Sequence, residues 1–307
     1  KQAGEGDHLG LNASTKATCI PSAATLACSW DATVSEAMGA VVGRDAANQG
    51  VDVLLAPGLN TKRSSLCGRS FEYYSEDPYL SGKLAAGFIR GAQKQGVSAC
   101  AKHYAANAQE LLRMHSDSVM DERTLREMYL TNFEIAIKEG KPGFVMTAYN
   151  RVNGVYANES RHLLGDILRG EWGFDGAVVT DWGGSNSIVE GVREGMNLEM
   201  PAAGDDSPCQ LVKAVKDGTI DEKIVDERVD QLLDFVLAEH KSSGESSFDA
   251  AKQHQAAEAA AEKCLVLLKN DEHLLPLKKD ARVAVIGEFA ARSRYQGAGS
   301  SMVNAAQ

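Results

Sequence analysis

The chain has 307 residues, 44% hydrophobic and 24% charged, with a formal net charge of −10. That length supports one large core, or a large domain plus part of another. The scattered Lys and Arg form no basic block to neutralise phosphates, and no apolar run approaches the roughly 20 residues of a membrane span, so neither a nucleic-acid nor a membrane partner is expected.

The first sixteen residues are polar and glycine-rich. Residues 17–21 read as a short strand that Pro21 ends, because proline cannot donate to a ladder. Asp31 reads as the N-cap of a helix with Val34, Met38, Val41 and Val42 on its apolar side, closing near Gly50. Residues 51–57 form the next expected strand, and a long polar loop, 58–77, follows. It ends in Asp77-Pro78, a capping acid before a proline in the first helical position, which opens a helix over 79–95. Further strands are expected at 97–104, 144–150, 176–180 and 195–201, with helices at 121–138, 160–169 and 185–193 between them.

Strands alternating with helices imply a parallel sheet with right-handed crossovers. The fold class is therefore α/β, a (β/α)8 TIM-like barrel, although such a barrel needs eight strands and only six candidates are visible. One or two strands, the first among them, are missing or degenerate. An open doubly wound sheet is the rival, but no G-x-G-x-x-G turn follows any strand. A further helical period begins at Asp221, and residues 241–247 read as a small polar linker. Beyond it come an alanine-rich helix over 250–263 and a strand over 282–287 that reads as buried and ends in Gly287. The expected division is a barrel over 1–240, then a linker and the truncated start of an α/β sandwich domain over 241–307.

Polar groups at the carboxyl ends of barrel strands are where substrates bind. Asp181 stands at the end of one such run, beside Trp182 and a glycine pair; a turn aspartate is the alternative reading. Arg69, Lys102, His103 and Tyr149 converge on the same face. A carboxylate, several donors and two aromatic rings suit a sugar better than a phosphate. Each residue keeps a plainer reading. Arg69 could pair with Glu72 or Glu76, Lys102 and His103 should point to opposite faces of a regular strand, and Tyr149 and Trp182 could be core aromatics. Glu110, Arg113, Glu122 and Arg123 read as surface or supporting ion pairs, and Glu199 as a weaker catalytic candidate. The histidines have no ligand-like spacing, so no metal site is expected. None of the six cysteines forms a CxxC pair, which leans towards a cytoplasmic location.

Several blocks together resemble the glycoside hydrolase family 3 β-glucosidases. They are Leu66-Cys67-Gly68-Arg69-Ser70-Phe71-Glu72 with Ser75-Glu76-Asp77-Pro78, Lys102-His103-Tyr104 with Asn107 and Gln109-Glu110, Val179-Thr180-Asp181-Trp182-Gly183, and Leu198-Glu199-Met200-Pro201. Leu267-Leu268-Lys269-Asn270 and the run from Arg294 to Ser301 are similar to the family's second domain. This resemblance implies that Asp181 is the nucleophile of a retaining, exo-acting β-glucosidase. It implies that Arg69, Lys102 and His103 bind sugar hydroxyls, that Tyr149 lies beside the nucleophile and that Trp182 forms an aromatic wall. The implied substrate is a small-molecule or oligosaccharide β-glucoside, with no cofactor. The family's acid/base lies beyond Gln307, so the remainder of the same enzyme chain would supply it. An aspartate motif that grips the outer hydroxyls in the family is absent from this sequence. A β-xylosidase-type member, a sugar-binding protein without the acid, a Lys102 Schiff-base enzyme and a homo-oligomer stay open.

Overall fold

The structure is a computed structural model describing residues 16–239, 249–294 and 303–305. The polar start, the 241–247 linker and most of the block from Arg294 to Ser301 lie outside the described residues. The strands are β1 (Lys16–Ala17), β2 (Val53–Leu54), β3 (Ser98–Tyr104), β4 (Asp117–Ser118), β5 (Phe144–Thr147), β6 (Arg151–Val152), β7 (Val155–Tyr156), β8 (Ala177–Val179) and β9 (Asn304–Ala305). Four of them form one wholly parallel sheet in the order β2-β3-β5-β8, with Val53 opposite Ser98, Cys100 opposite Phe144 and Phe144 opposite Ala177. This is an arc of the α/β barrel that the alternation predicts.

Both faces of the arc are covered, which is why its strands read as continuous apolar runs. Cys100, Phe144, Met146, Ala177 and Val179 pack on one face, where Phe235 of the helix Glu222–Glu239 meets Phe144 edge-on at 4.4 Å. Ala99, Ala101, Val145 and Val178 belong to the larger core on the other face, beneath the helices. Two of these helices, Ala32–Asn48 and Pro78–Gln93, begin where expected, with Asp31 bonding the amide of Thr33 and Asp77 those of Tyr79 and Leu80. They approach through glycines: a Cβ on Gly43 would stand 2.7 Å from the Ala92 carbonyl oxygen, and one on Gly39 would strike the backbone of Phe88.

Several expectations are corrected. Residues 18–21 form no strand; Lys16–Ala17 pairs instead with Asn304–Ala305, outside the main sheet, and a helix over Ala23–Ala27 capped by Ser22 follows. The segment 195–201 is held edge-on to β8 by a single bridge, Val179 to Leu198, rather than by a full strand. The helix at 160–169 becomes a π-helix over His162–Glu171, and 122–140 alternates α and π turns. Asp206–Lys216 is a helix that the periodicity did not suggest. Residues 282–287 pair with no strand among the described residues, and Val285 and Ile286 are 74% and 90% exposed. The alanine-rich helix spans Ala250–Lys263 as expected and docks on the barrel, its buried Gln253 bonding Asp45 and Thr18.

Because the approach at Gly43 is backbone against backbone, no side-chain rotation relieves an added methyl. Gly43→Ala is expected to destabilise the protein by about 1–3 kcal/mol, measured by urea unfolding. An unchanged midpoint would mean that the two helices separate freely.

Candidate active site

Lys102 and His103 stand at the carboxyl end of β3, where regular pairing stops. The register with β5 shifts between Lys102 and Tyr104, and the peptides Lys102-His103 and Tyr104-Ala105 are cis. The alternation expected of a regular strand fails here, and both side chains reach one cluster. Tyr104 pins the strand end from behind. It is fully buried, packs edge-on against Phe133 and Trp172, and donates its hydroxyl to the Leu163 carbonyl at 2.9 Å. Asn60 clamps the His103 backbone, giving its amide to the carbonyl at 2.8 Å and accepting from the N–H at 2.9 Å.

The His103 ring is 1% exposed and has fixed neighbours. The Arg69 guanidinium lies 3.0 Å from Nε2, while the Tyr73 hydroxyl and Asn60 Oδ1 lie 3.0 and 3.3 Å from Nδ1. Arg69 can only donate, so Nε2 accepts and the ring proton sits on Nδ1. Burial drives the imidazole well below its ordinary pKa, and Arg69 and Lys102 push it further in the same direction. His103 is therefore neutral. Its Nε2 lies 3.4 Å from Asp181 Oδ2 without forming an ion pair or donating a hydrogen bond.

Arg69 pairs with Glu72, as the plainer reading allowed, and also reaches the site. Glu72 Oε2 accepts from Arg69 Nε at 2.8 Å, and Oε1 accepts from Arg69 Nη2 at 3.1 Å and lies 3.2 Å from Lys102 Nζ. Burial opposes the charge on Glu72, but Lys102 and Arg69 overcome it and hold the carboxyl far below the usual carboxylate range. Burial likewise opposes the Arg69 charge, and Glu72 reverses the effect and raises the guanidinium. Glu72 was legible only as a loop partner for Arg69; Asn60 and Tyr73 carried no signal at all.

Asp181 follows β8. Its Oδ1 accepts the Trp182 amide at 2.7 Å, the turn chemistry of the alternative reading, while its Oδ2 is buried with no hydrogen-bond partner among the described residues. A buried carboxylate oxygen with no hydrogen-bond donor on it among the described residues can attack an electrophilic carbon. Tyr149 gives its hydroxyl to the Trp182 carbonyl at 2.7 Å, and burial and the Asp181 charge together raise its phenol. Arg113, bridged to Glu110 at 2.7 Å, lies over the Tyr149 ring at 4.6 Å, so this pair supports the site, whereas Glu122 and Arg123 pair with Arg126 and Glu127 on the exposed helix. Trp182 is 38% exposed at the rim. Gly184 leaves room for Tyr149, since a Cβ there would stand 3.3 Å from the ring. Behind the turn, half-buried Arg169 bonds the carbonyls of Phe174, Gly176 and Gly195 and the side chain of Asn197, which fixes β8 and the segment after it. Glu199 is half-buried on that segment.

A cavity of about 100 Å³ opens beside Lys102 and Glu72, walled by Ile20, Leu55, Pro57 and Phe71; Asp181 is not in its lining. Among the described residues no group of His, Cys, Asp and Glu could hold a metal ion. No described helix is long and apolar enough to cross a membrane.

The unfolded chain binds a proton at His103 near its ordinary pKa of about 6.5, and the folded chain does not. Stability contributed by the neutral ring is whole above that pH and declines below it, by at most about 1.4 kcal/mol per pH unit. Urea unfolding from pH 7 to pH 5 is expected to show this slope and His103→Gln to reduce it. An identical slope in the variant would mean a ring protonated in the folded protein.

Residues 7–235 match the model of the glycosyl hydrolase family 3 N terminal domain, and residues 265–307 that of the family's C-terminal domain. The chain is 48% identical to thermostable beta-glucosidase B of Acetivibrio thermocellus over 305 residues, covering 99% of this chain and 40% of that protein. It is 41% identical to an exo-alpha-(1->6)-L-arabinopyranosidase of Bifidobacterium longum, covering 98% of this chain and 41% of the relative. Beta-glucosidase 3B from Thermotoga neapolitana, solved in complex with glucose, superposes with a TM-score of 0.91 at 38% identity, over 96% of this chain and 42% of that one. The chain thus spans about two fifths of the length of these relatives. It belongs to glycosyl hydrolase family 3, and its barrel arc is part of that family's N-terminal domain.

Proposed function

We propose that the protein acts as a retaining, exo-acting β-glucosidase on non-reducing-end β-D-glucosides. The observation that carries this reading is the bare Oδ2 of Asp181, buried at a strand end 3.4 Å from the neutral His103 ring that Arg69 also contacts. Asp181 Oδ2 attacks the anomeric carbon, and the glycosidic oxygen leaves with a proton from a second carboxyl group. The glycosyl ester then breaks as water, deprotonated by that same group, attacks the same carbon. Arg69, Lys102 and His103 bind the sugar's hydroxyls, and His103 also holds Arg69 in place. Trp182 covers the apolar face of the ring. The glucose held by the Thermotoga neapolitana relative supports a sugar as the substrate.

We place the acid/base in the part of such enzymes that this chain does not span, supplied by the remainder of the same enzyme chain. The division into a barrel over 1–240 and the start of a second domain over 241–307 belongs to the same proposal, as does the cytoplasmic location suggested by the cysteine pattern. Neither a metal nor an organic cofactor enters this chemistry. The arabinopyranosidase relative makes the sugar itself a point to test.

In the full-length protein, a 2-deoxy-2-fluoroglucoside is expected to trap an ester on Asp181, read by peptide mass spectrometry. Asp181→Ala should lower kcat for an aryl β-glucoside by at least about 10⁴-fold. A label on another carboxylate rejects the assignment, and faster turnover of aryl β-xyloside or α-L-arabinopyranoside than of the glucoside rejects the sugar. Residues 1–307 alone should hydrolyse the aryl glucoside very slowly or not at all. Brisk turnover would place an acid within this chain, with Glu199 and Glu288 the first to replace.

A further inference from the structure

We infer that Glu72, a residue that need never touch substrate, is the positioning residue of this site, holding Arg69 and Lys102 together so that their remaining N–H groups face the sugar; the inference rests on the β-glucosidase reading. Arg69 and Glu72 come from the loop between β2 and the helix Pro78–Gln93, and Lys102 from β3, so this carboxylate ties the loop to the strand. All three side chains are mostly buried, at 17%, 19% and 15% exposed for Arg69, Glu72 and Lys102. Arg69 Nη2 and Lys102 Nζ both reach the same oxygen, Oε1. Two cations so close repel strongly in a poorly solvated site unless a negative charge lies between them.

Asp181 does not fill that role. Its Oδ2 takes no hydrogen bond from either cation among the described residues, and its Oδ1 is engaged by the Trp182 amide. The orientation of both donors is thus set by Glu72, and Asp181 is left bare. The donor count supports this division. A guanidinium carries five N–H donors and an ammonium three. Arg69 uses Nε and both Nη2 hydrogens on Glu72 and His103, which leaves Nη1 for a ligand among the described contacts. Lys102 meets Glu72 as an ion pair at 3.2 Å. Aligned in this way, the two side chains present a preformed grip on adjacent hydroxyls. Released, Arg69 and Lys102 would part and turn towards water.

The test uses the full-length protein as wild type, E72Q, E72D, K102M and E72Q/K102M, with an aryl β-glucoside for kcat and KM and calorimetry for glucose binding. E72Q keeps the shape and loses the charge. It is expected to raise KM and weaken glucose binding at least about tenfold, and E72D to recover most of the loss. In the K102M background, where one cation is already gone, E72Q should cost less than about threefold, because neighbouring residues acting through one another are not additive. Equal cost in both backgrounds, or an E72Q enzyme within about threefold of wild type, overturns the inference. Should thermal melting show that E72Q does not fold, E72D decides: KM raised at least about threefold with an unchanged melting temperature supports the role, and an unchanged KM overturns it. Wild-type protein that binds glucose without hydrolysing the glucoside sinks the β-glucosidase reading, while the binding series still judges Glu72. Wild-type protein that binds no glucose overturns both.

Discussion

Charges taken out of water must meet their opposites or be neutralised, and this site does both within a few residues. Glu72 spans Arg69 and Lys102, and burial, helped by the field of those cations, keeps His103 uncharged. The neutral ring in turn accepts from Arg69 and has no proton to give Asp181. Everything that makes Asp181 available follows from this balance. A protonated imidazole would capture its Oδ2, which lies 3.4 Å from the ring. The proposed chemistry therefore depends on a carboxylate that takes no part in it.

The fold supplies the rigidity that such a balance needs. Each contributing residue sits at or just past the carboxyl end of a parallel strand, or on the loop that follows β2, and each strand end is fastened from behind. Tyr104 anchors β3 among Phe133 and Trp172, and Arg169 with Asn197 anchors β8. Thr180 adds a clasp, exchanging hydrogen bonds with Met200 across the strand end just before Asp181. The reactive groups are thus mounted on the ends of buried strands.

Much of this was legible from local chemistry. Asp31 and Asp77-Pro78 carry cap signals that act within three residues, and the structure places both helix starts there. The buried strands announced themselves through apolar runs that only a sheet covered on both faces permits. What escaped depends on distant partners. Glu72 stands three residues from Arg69 on a polar loop, a spacing that reads as a surface pair, and only the arrival of Lys102 from β3 turns it into a bridge. The opposite-face expectation for Lys102 and His103 assumed a regular strand, and the irregular backbone at that strand end removed the assumption. The run 282–287 has the composition of a buried strand but no paired neighbour among the described residues, and composition alone cannot provide one.

The proposed chemistry requires Asp181 to face the anomeric carbon when a sugar is present. A crystal structure of the full-length Asp181→Asn protein with an intact aryl β-glucoside addresses this directly. The expected result is an anomeric carbon about 3–3.5 Å from the residue 181 side chain, in line with the departing oxygen, with Arg69 and Lys102 on the hydroxyls. A glucoside seated elsewhere, or one whose anomeric carbon is turned away from residue 181, would contradict it.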